Sequence, residues 1–368
     1  MAREIYLDYA SSTPVDKEVQ RETSRTFSIY GNPSSLNTAG HEAKKALEDA
    51  RSRIAKTVGA KGKEIVFTAS GSESNNLAII GAALANKGKH IVASNIEHKS
   101  VLAPIEYLVK ERGYKVTYVR ADKKGYIRPE DVAKAVEKDT VLVSIMHANN
   151  EVGTIEPIRK IVRAVREKKA DVIFHTDACQ TAGYLNIKAN EWDVDLMTFN
   201  SSKVYGPKGV AALFVRMGTL INPIVKGGDQ ELGLRSGTEN VAGAIGFAKA
   251  MEIAAKKRVK EVERLTKLRD YLADNISEGE LNGHKDRLPN FVNVSFPKQD
   301  SEYLVLKLDK YGIRTSSGSA CQVHGSSHVL EALGIKEKDW GTIRFSLGRS
   351  TKKEDIDFVI KTLKTVLK

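Results

Sequence analysis

Between about residues 41 and 215, short apolar stretches alternate with amphipathic ones, and few folds tolerate that alternation. Residues 64–68, 90–94, 115–119, 141–146, 172–175, 195–199 and 210–215 read as strands. Residues 73–85, 100–110, 129–137 and 158–168 between them read as helices, the third opened by its proline. Strands that alternate with helices cannot pair as hairpins. They predict a largely parallel sheet with helices on both faces. A long helical stretch, 240–272, follows without a strand and could link two domains. Beyond it come a strand (291–296), a helix (302–310), a second helix (328–333), a strand (342–347) and a last helix (353–367), which read as a smaller α+β unit. At 368 residues the chain is long enough for two domains.

Composition narrows the class. Apolar residues make up 41% and charged residues 28%, as in a soluble globular protein, and no apolar run approaches a membrane span. The start MAREIYLDYA has no export pattern, so no membrane role is expected. Two cysteines without paired spacing argue against a disulfide framework and fit a reducing cytoplasm. The net charge is +12, but the basic residues are scattered, as in Lys256, Lys257 and Arg258 or Lys352 and Lys353, and no basic run is interleaved with aromatics. That pattern describes a solvated face, suited to docking an acidic protein, rather than direct nucleic-acid binding.

In an open α/β sheet, ligands bind outside the carboxyl ends of the strands. The residues that follow each predicted strand are therefore the ones to inspect. The first strand runs into Ala69-Ser70-Gly71-Ser72-Glu73, a small polar turn opening a helix, where backbone N–H groups could hold a phosphate. Others lead to His98, to His147-Ala148-Asn149-Asn150, to Asp177-Ala178-Cys179-Gln180 and to Asn200-Ser201-Ser202-Lys203. Singly, each has a bland explanation as a cap, a turn or a solvated charge. Together they supply what pyridoxal phosphate needs: a lysine for the aldehyde, a carboxylate for the pyridine nitrogen, donors for the phosphate and an imidazole to stack on the ring. Separately, Cys321 sits in the run Ser316-Ser317-Gly318-Ser319-Ala320-Cys321, among small polar residues that build no core. A cysteine on such a loop is more accessible than most, and accessible thiols are the reactive ones.

With these residues in place, the chain resembles the cysteine desulfurases of the NifS/IscS group, within the class V aminotransferase family. The resemblance runs through IYLDYASSTP (5–14), YGNPSSLN (30–37), EIVFTASGSESNNLAI (64–79), EHKSVL (97–102), VLVSIMHANNEVGTI (141–155), HTDACQTAG (175–183), KVYGPKG (203–209), LRSGTEN (234–240), TSSGSACQ (315–322) and IRFSLGRST (343–351). It implies the PLP-dependent transferase fold type I: a large domain (13–256) with a mainly parallel seven-stranded sheet, and a smaller α+β domain (1–12 and 257–368) that carries the Cys321 loop.

The resemblance also implies roles. Lys203 would be the Schiff-base lysine and proton shuttle, Asp177 the partner of the pyridinium nitrogen, and His98 the ring-stacking acid/base. Asn150 and Gln180 would address the ring hydroxyl side. Gly71, Ser72 and Ser202 would serve the phosphate. Thr238 would reach the phosphate in a neighbouring subunit, which implies a homodimer. Arg349, with help from Asn32, would clamp the substrate carboxylate. Cys321 would attack the sulfur of L-cysteine, become a persulfide, and hand sulfur to an iron–sulfur scaffold protein or another acceptor while alanine is released.

The sequence departs from the group in three places. Asn200 and Ser202 stand where a Ser-x-His normally precedes the lysine. Cys179 takes a place usually held by Thr, Ser or Ala and reads as a packed small residue. Only seven residues separate Cys321 from Val329. His324 and His328, near that cysteine, could lower its pKa or share a metal with it, as in transfer to an iron–sulfur cluster; the plainer reading is two exposed loop histidines, with no resident metal. The alternatives are a selenocysteine lyase and an aminotransferase-like sulfur-assembly subunit with weakened activity.

Overall fold

The computed structural model describes residues 4–317, 327–336 and 338–368. Cys321 and His324 lie outside the described residues. Strands β1 (Ile5–Tyr6), β2 (Ile65–Thr68), β3 (His90–Ser94), β4 (Lys115–Val119), β5 (Thr140–Ser144), β6 (Ile173–Asp177), β7 (Leu196–Asn200) and β8 (Ala211–Val215) precede β9 (Glu280–Asn282), β10 (Phe291–Pro297), β11 (Ile313–Arg314) and β12 (Trp340–Ser346). A seven-stranded sheet has the order β2-β8-β7-β6-β5-β3-β4. Its pairings are parallel except those of β8, which is antiparallel to both β2 and β7. Two reversals restore the direction, so β2 runs the same way as β3 to β7. The expected mainly parallel sheet is therefore present, with a single reversed strand.

Burial explains why the sheet is covered on both sides. Successive strand residues alternate between two apolar clusters. Val92, Val143, Phe174, Met197 and Phe214 join one. Their neighbours Ile91, Leu142, Ile173, Leu196 and Leu213 join the other. The helices that cover the sheet are α1 (Lys17–Thr26), α2 (Thr38–Thr57), α3 (Gly71–Asn76) continued by a π-helical turn Leu77–Gly81 into α4 (Ala82–Ala85), α5 (Lys99–Arg112), α6 (Pro129–Ala135) and α7 (Ile158–Lys168). Their starts follow from local chemistry: Asp16, Asn37, Ser70 and His98 each accept a backbone N–H of the first turn through the side chain. Gly113 closes α5 in the left-handed conformation, φ 67°.

Helix α8 (Val241–Asp274) is 34 residues long. Its first half, through Ala244, Phe247 and Met251, packs into the core beneath the large sheet, and Leu265 and Leu272 enter a third cluster. That third cluster is built on the antiparallel sheet β12-β10-β9, with Phe291, Val294, Ile343 and Phe345, and on α9 (Ser301–Lys310) and α11 (Lys353–Val366). The short helix α10 (His328–Ala332) instead packs Val329 and Leu330 into the core beneath the large sheet. The chain's start returns to the α+β unit. β1 pairs with β11, and Ile5 and Leu7 join its core. One helix and one N-terminal segment thus tie the two cores together.

The edge strand β2 is fixed by a buried ion pair. Arg51 Nη1 and Nη2 donate to Glu231 Oε2 and Oε1 at 2.7 and 3.0 Å. Arg51 Nη1 also donates to the Ile65 carbonyl, and Phe67 N donates to Glu231 Oε2. Both side chains are buried. Removing one partner would leave an uncompensated buried charge. Glu231→Ala is expected to lower unfolding stability by about 3–5 kcal/mol, read from denaturant unfolding.

Candidate active site

A shared strand direction delivers the ends of β2, β3, β5, β6 and β7 to one edge. There Gly71, Ser72, His98, Asn150, Asp177, Gln180 and Lys203 line a single cavity of about 340 Å³. That volume falls in the range of small-molecule sites, roughly 300–1,000 Å³. The N-terminal segment closes one wall with Ala10 and Ser11, and β12 adds Arg344.

Each side chain is held by its own element. Asp177 ends β6; its Oδ1 accepts Cys179 N at 2.9 Å and its Oδ2 accepts Asn75 Nδ2 at 2.8 Å. Lys203 follows β7 in a 3₁₀ turn, and its Nζ donates to the carbonyls of Ala10 and Ser11 at 2.7 and 2.6 Å. Gln180 Nε2 donates to the same Ala10 carbonyl at 3.0 Å. His98 is the N-cap of α5, with Nδ1 accepting Ser100 N at 3.1 Å and lying 2.7 Å from Ser100 Oγ. Gly71 opens α3, where a Cβ would stand 3.1 Å from Cys179 Sγ and 3.4 Å from Asn200 Nδ2. The bare backbone leaves a cradle that any other residue would fill.

These residues fit pyridoxal phosphate. A lysine, a carboxylate and an imidazole converge beside that cradle. Asn150 Oδ1 and Arg344 Nε are buried with no partner among the described residues. A buried polar atom without a partner is costly, and a ligand in the cavity would relieve that cost.

Several expected residues lie elsewhere. Arg349 is outside the cavity lining. Its Nη1 donates to Asp16 Oδ2 at 2.7 Å and its guanidinium lies 3.9 Å from the Tyr205 ring centroid. The guanidinium in the cavity belongs to Arg344, which donates to Asp8 Oδ1, Ser11 Oγ and the Asn150 carbonyl. A signal for it existed in the sequence: an arginine between Ile343 and Phe345 interrupts an apolar strand. Ser202 is also absent from the lining, and Asn200 stands there instead. Asn200 Oδ1 accepts Ser202 N and Ser202 Oγ, both at 3.2 Å. Asn32 turns back on its own loop, accepting Ser34 N, and Thr238 lines a separate surface pocket beside Thr68 and Ala69. Asn75 and Ser100, which line the cavity, are residues that motif reading passed over.

Burial sets the character of the remaining groups. Burial first, then the charge of Asp177, pushes the Cys179 thiol well above its ordinary pKa, so this cysteine is a packed neutral group. Burial lowers His175 to about 4 and His147 to about 3. Both are neutral and hydrogen-bonded to hydroxyls, His175 to Ser144 and Thr198, His147 to Thr181. They support the strand ends. His328 is not an exposed loop histidine: its Nε2 lies 2.9 Å from the Glu97 carbonyl and burial lowers its pKa. No helix among the described residues is long and apolar enough to cross a membrane.

The profile of the family Aminotransferase class-V matches residues 5–359. "Cysteine desulfurase IscS" of Dictyoglomus turgidum is 48% identical, over 100% of this chain and 95% of its own. "Cysteine desulfurase IscS 1" of Archaeoglobus fulgidus is 44% identical, over 98% of this chain and 96% of its own. Among solved structures, a NifS-like protein superposes with a TM-score of 0.93 at 36% identity, over 99% of both chains. SspA in complex with cysteine superposes with a TM-score of 0.82 at 36% identity, over 93% of this chain and 98% of its own. The chain belongs to the class-V aminotransferase family, in its group of IscS and NifS-like cysteine desulfurases.

Proposed function

We propose that this protein is a pyridoxal phosphate-dependent cysteine desulfurase that converts L-cysteine to L-alanine and passes the sulfur to Cys321. The reading is carried by one observation: Lys203, Asp177 and His98 meet in one cavity in a chain 48% identical to a cysteine desulfurase. Pyridoxal phosphate, when bound, supplies an aldehyde to capture the substrate amine and a protonated ring to store an electron pair. Asp177, already oriented by two donors, meets the pyridine nitrogen. The backbone at Gly71, with Ser72 and Asn200, faces the phosphate. Asn150 and Gln180 serve the ring hydroxyl side.

Lys203 holds and returns the proton at the substrate Cα. Its amine donates to two carbonyls, which holds it at the mouth of the 3₁₀ turn, where the cofactor's aldehyde would meet it. Arg344, not Arg349, addresses the substrate carboxylate, since its guanidinium is the one in the cavity and its Nε has no partner among the described residues. The Cys321 thiolate attacks the substrate Sγ. The S–S bond forms as Cβ–Sγ breaks, the bonding pair stays with carbon, and a proton at Cβ completes alanine. The product on the protein is a persulfide, which an iron–sulfur scaffold or another sulfur acceptor consumes. Thr238, near the exposed start of α3, fits a homodimer in which it reaches the neighbouring subunit's phosphate. A cytoplasmic location suits a thiol that must stay reduced.

Three outcomes test this reading. Lys203→Ala should lose the borohydride-trappable link to the cofactor. Cys321→Ser should keep the cofactor's visible absorbance while sulfide release from L-cysteine is abolished; undiminished release would reject Cys321 as the acceptor. Arg344→Lys should raise KM for L-cysteine by roughly 10- to 100-fold, the weight of about 1.5–3 kcal/mol for a charged hydrogen bond, whereas Arg349→Lys should leave KM within a few-fold. The opposite ranking would return the carboxylate to Arg349.

A further inference from the structure

Asn75 sits on α3 between the two titratable side chains that flank the cofactor cavity. Its Nδ2 is 2.8 Å from Asp177 Oδ2 and 2.7 Å from Ser100 Oγ. Ser100 Oγ is in turn 2.7 Å from His98 Nδ1. A carboxylate only accepts hydrogen bonds, so the nitrogen of the amide must face Asp177. That nitrogen has two hydrogens: one goes to Asp177 and the other to Ser100 Oγ. The Ser100 hydroxyl accepts from Asn75 and, with a hydrogen and a second lone pair left, can pair with His98 Nδ1 in either direction.

A backbone bond decides that direction. Ser100 N donates to His98 Nδ1 at 3.1 Å, as the first-turn amide of α5. A backbone amide can only donate, so Nδ1 must present a lone pair. A neutral imidazole that accepts at Nδ1 carries its hydrogen on Nε2, and an imidazolium has no lone pair to offer.

We propose that Asn75 and Ser100 are positioning residues: Asn75 orients Asp177, and the Ser100 amide locks His98 as the neutral Nε2–H tautomer, so that His98 meets the cofactor and substrate as a hydrogen-bond donor. A neutral imidazole at a helix start can act in this way. While the chain of bonds is intact, Nε2 is closed as a proton acceptor, and the substrate thiol must give its proton to another group. The inference rests on the proposed function only in taking His98 as the neighbour of the cofactor.

The test reads the ring nitrogens directly. The cofactor-loaded protein is labelled with [15N]histidine, and His98→Gln identifies the His98 signals. The unmodified protein should show Nδ1 unprotonated and Nε2 protonated near neutral pH; an imidazolium or an Nδ1–H form overturns the assignment. Ser100→Ala leaves the backbone amide in place, so the tautomer should hold, and a switch to Nδ1–H overturns the amide as its lock. Ser100→Pro removes the amide hydrogen within the first helical turn and should give mixed tautomers; unchanged signals overturn the assignment. Asn75→Ala removes a donor to Asp177 and should lower kcat roughly ten-fold with KM within about two-fold and the tautomer unchanged, and an unaltered kcat overturns its positioning role. Failure of the functional reading would look different: no sulfide from L-cysteine, with the tautomer as assigned.

Discussion

Parallel pairing is the constraint on which the rest of this structure depends. Two parallel strands cannot be joined by a tight turn, so each connection crosses a face of the sheet and returns to the starting edge. Every strand from β2 to β7 therefore ends on the same side, and β8 reverses without disturbing that alignment. Asp177, Lys203, Asn150, His98 and Gly71 are far apart in sequence because each crossover consumes a covering segment, a helix in every connection but that from β6 to β7. They meet because the sheet permits no other place for strand ends. The cavity is a consequence of topology, and its chemistry depends only on which residue follows which strand.

The sheet edge alone would leave that cavity open. The N-terminal segment closes it, and it can do so because β1 is anchored in the smaller unit by β11. Asp8 and Ser11 then fix Arg344, which reaches across from β12. The carbonyls of Ala10 and Ser11 hold the Lys203 ammonium. One short stretch of chain thus touches both cations of the site. The pairing of Arg344 with Asp8 also keeps a buried guanidinium from standing uncompensated when no anionic ligand is present, a condition that would otherwise cost several kcal/mol. The polar groups here are mutually satisfied, with a few orphaned atoms directed at what the cavity must bind.

The sheet was readable from sequence because its signal is redundant. Seven apolar runs, the first five separated by helical segments, leave few topologies, and the alternating burial of residues such as Ile91 and Val92 follows from the pleat. Asp177, Lys203 and His98 stood out in the sequence because each follows a strand and carries reactive chemistry, and the structure brings all three to one cavity. Arg349 lies outside the cavity for a physical reason. Two arginines lie five residues apart in one motif, and only three-dimensional packing reveals that Asp16 and Tyr205 claim one of them while β12 aims the other inward. Asn75 and Ser100 were hidden for the opposite reason: both sit in helices, where a polar residue ordinarily means solvent.

The residues before Lys203 depart from the Ser-x-His that the resemblance leads one to expect, and the turn that carries the lysine closes all the same. A serine and a histidine at positions 200 and 202 would each offer a donor. Here Asn200 spends its oxygen on the amide and hydroxyl of Ser202, which closes the turn that carries Lys203. With the oxygen engaged, the amide nitrogen is left facing the space above Gly71, 3.4 Å from where a Cβ would stand. The amide therefore does two tasks at once, a turn and a donor. It is also neutral at every pH at which the protein is folded, so this part of the cradle keeps its donor without depending on a titrating ring. The small thiol of Cys179, kept un-ionised by burial, packs against the same glycine and adds no charge. Asn200 and Cys179 thus line the cavity without adding a charge, and Asn200 also caps the turn that carries Lys203.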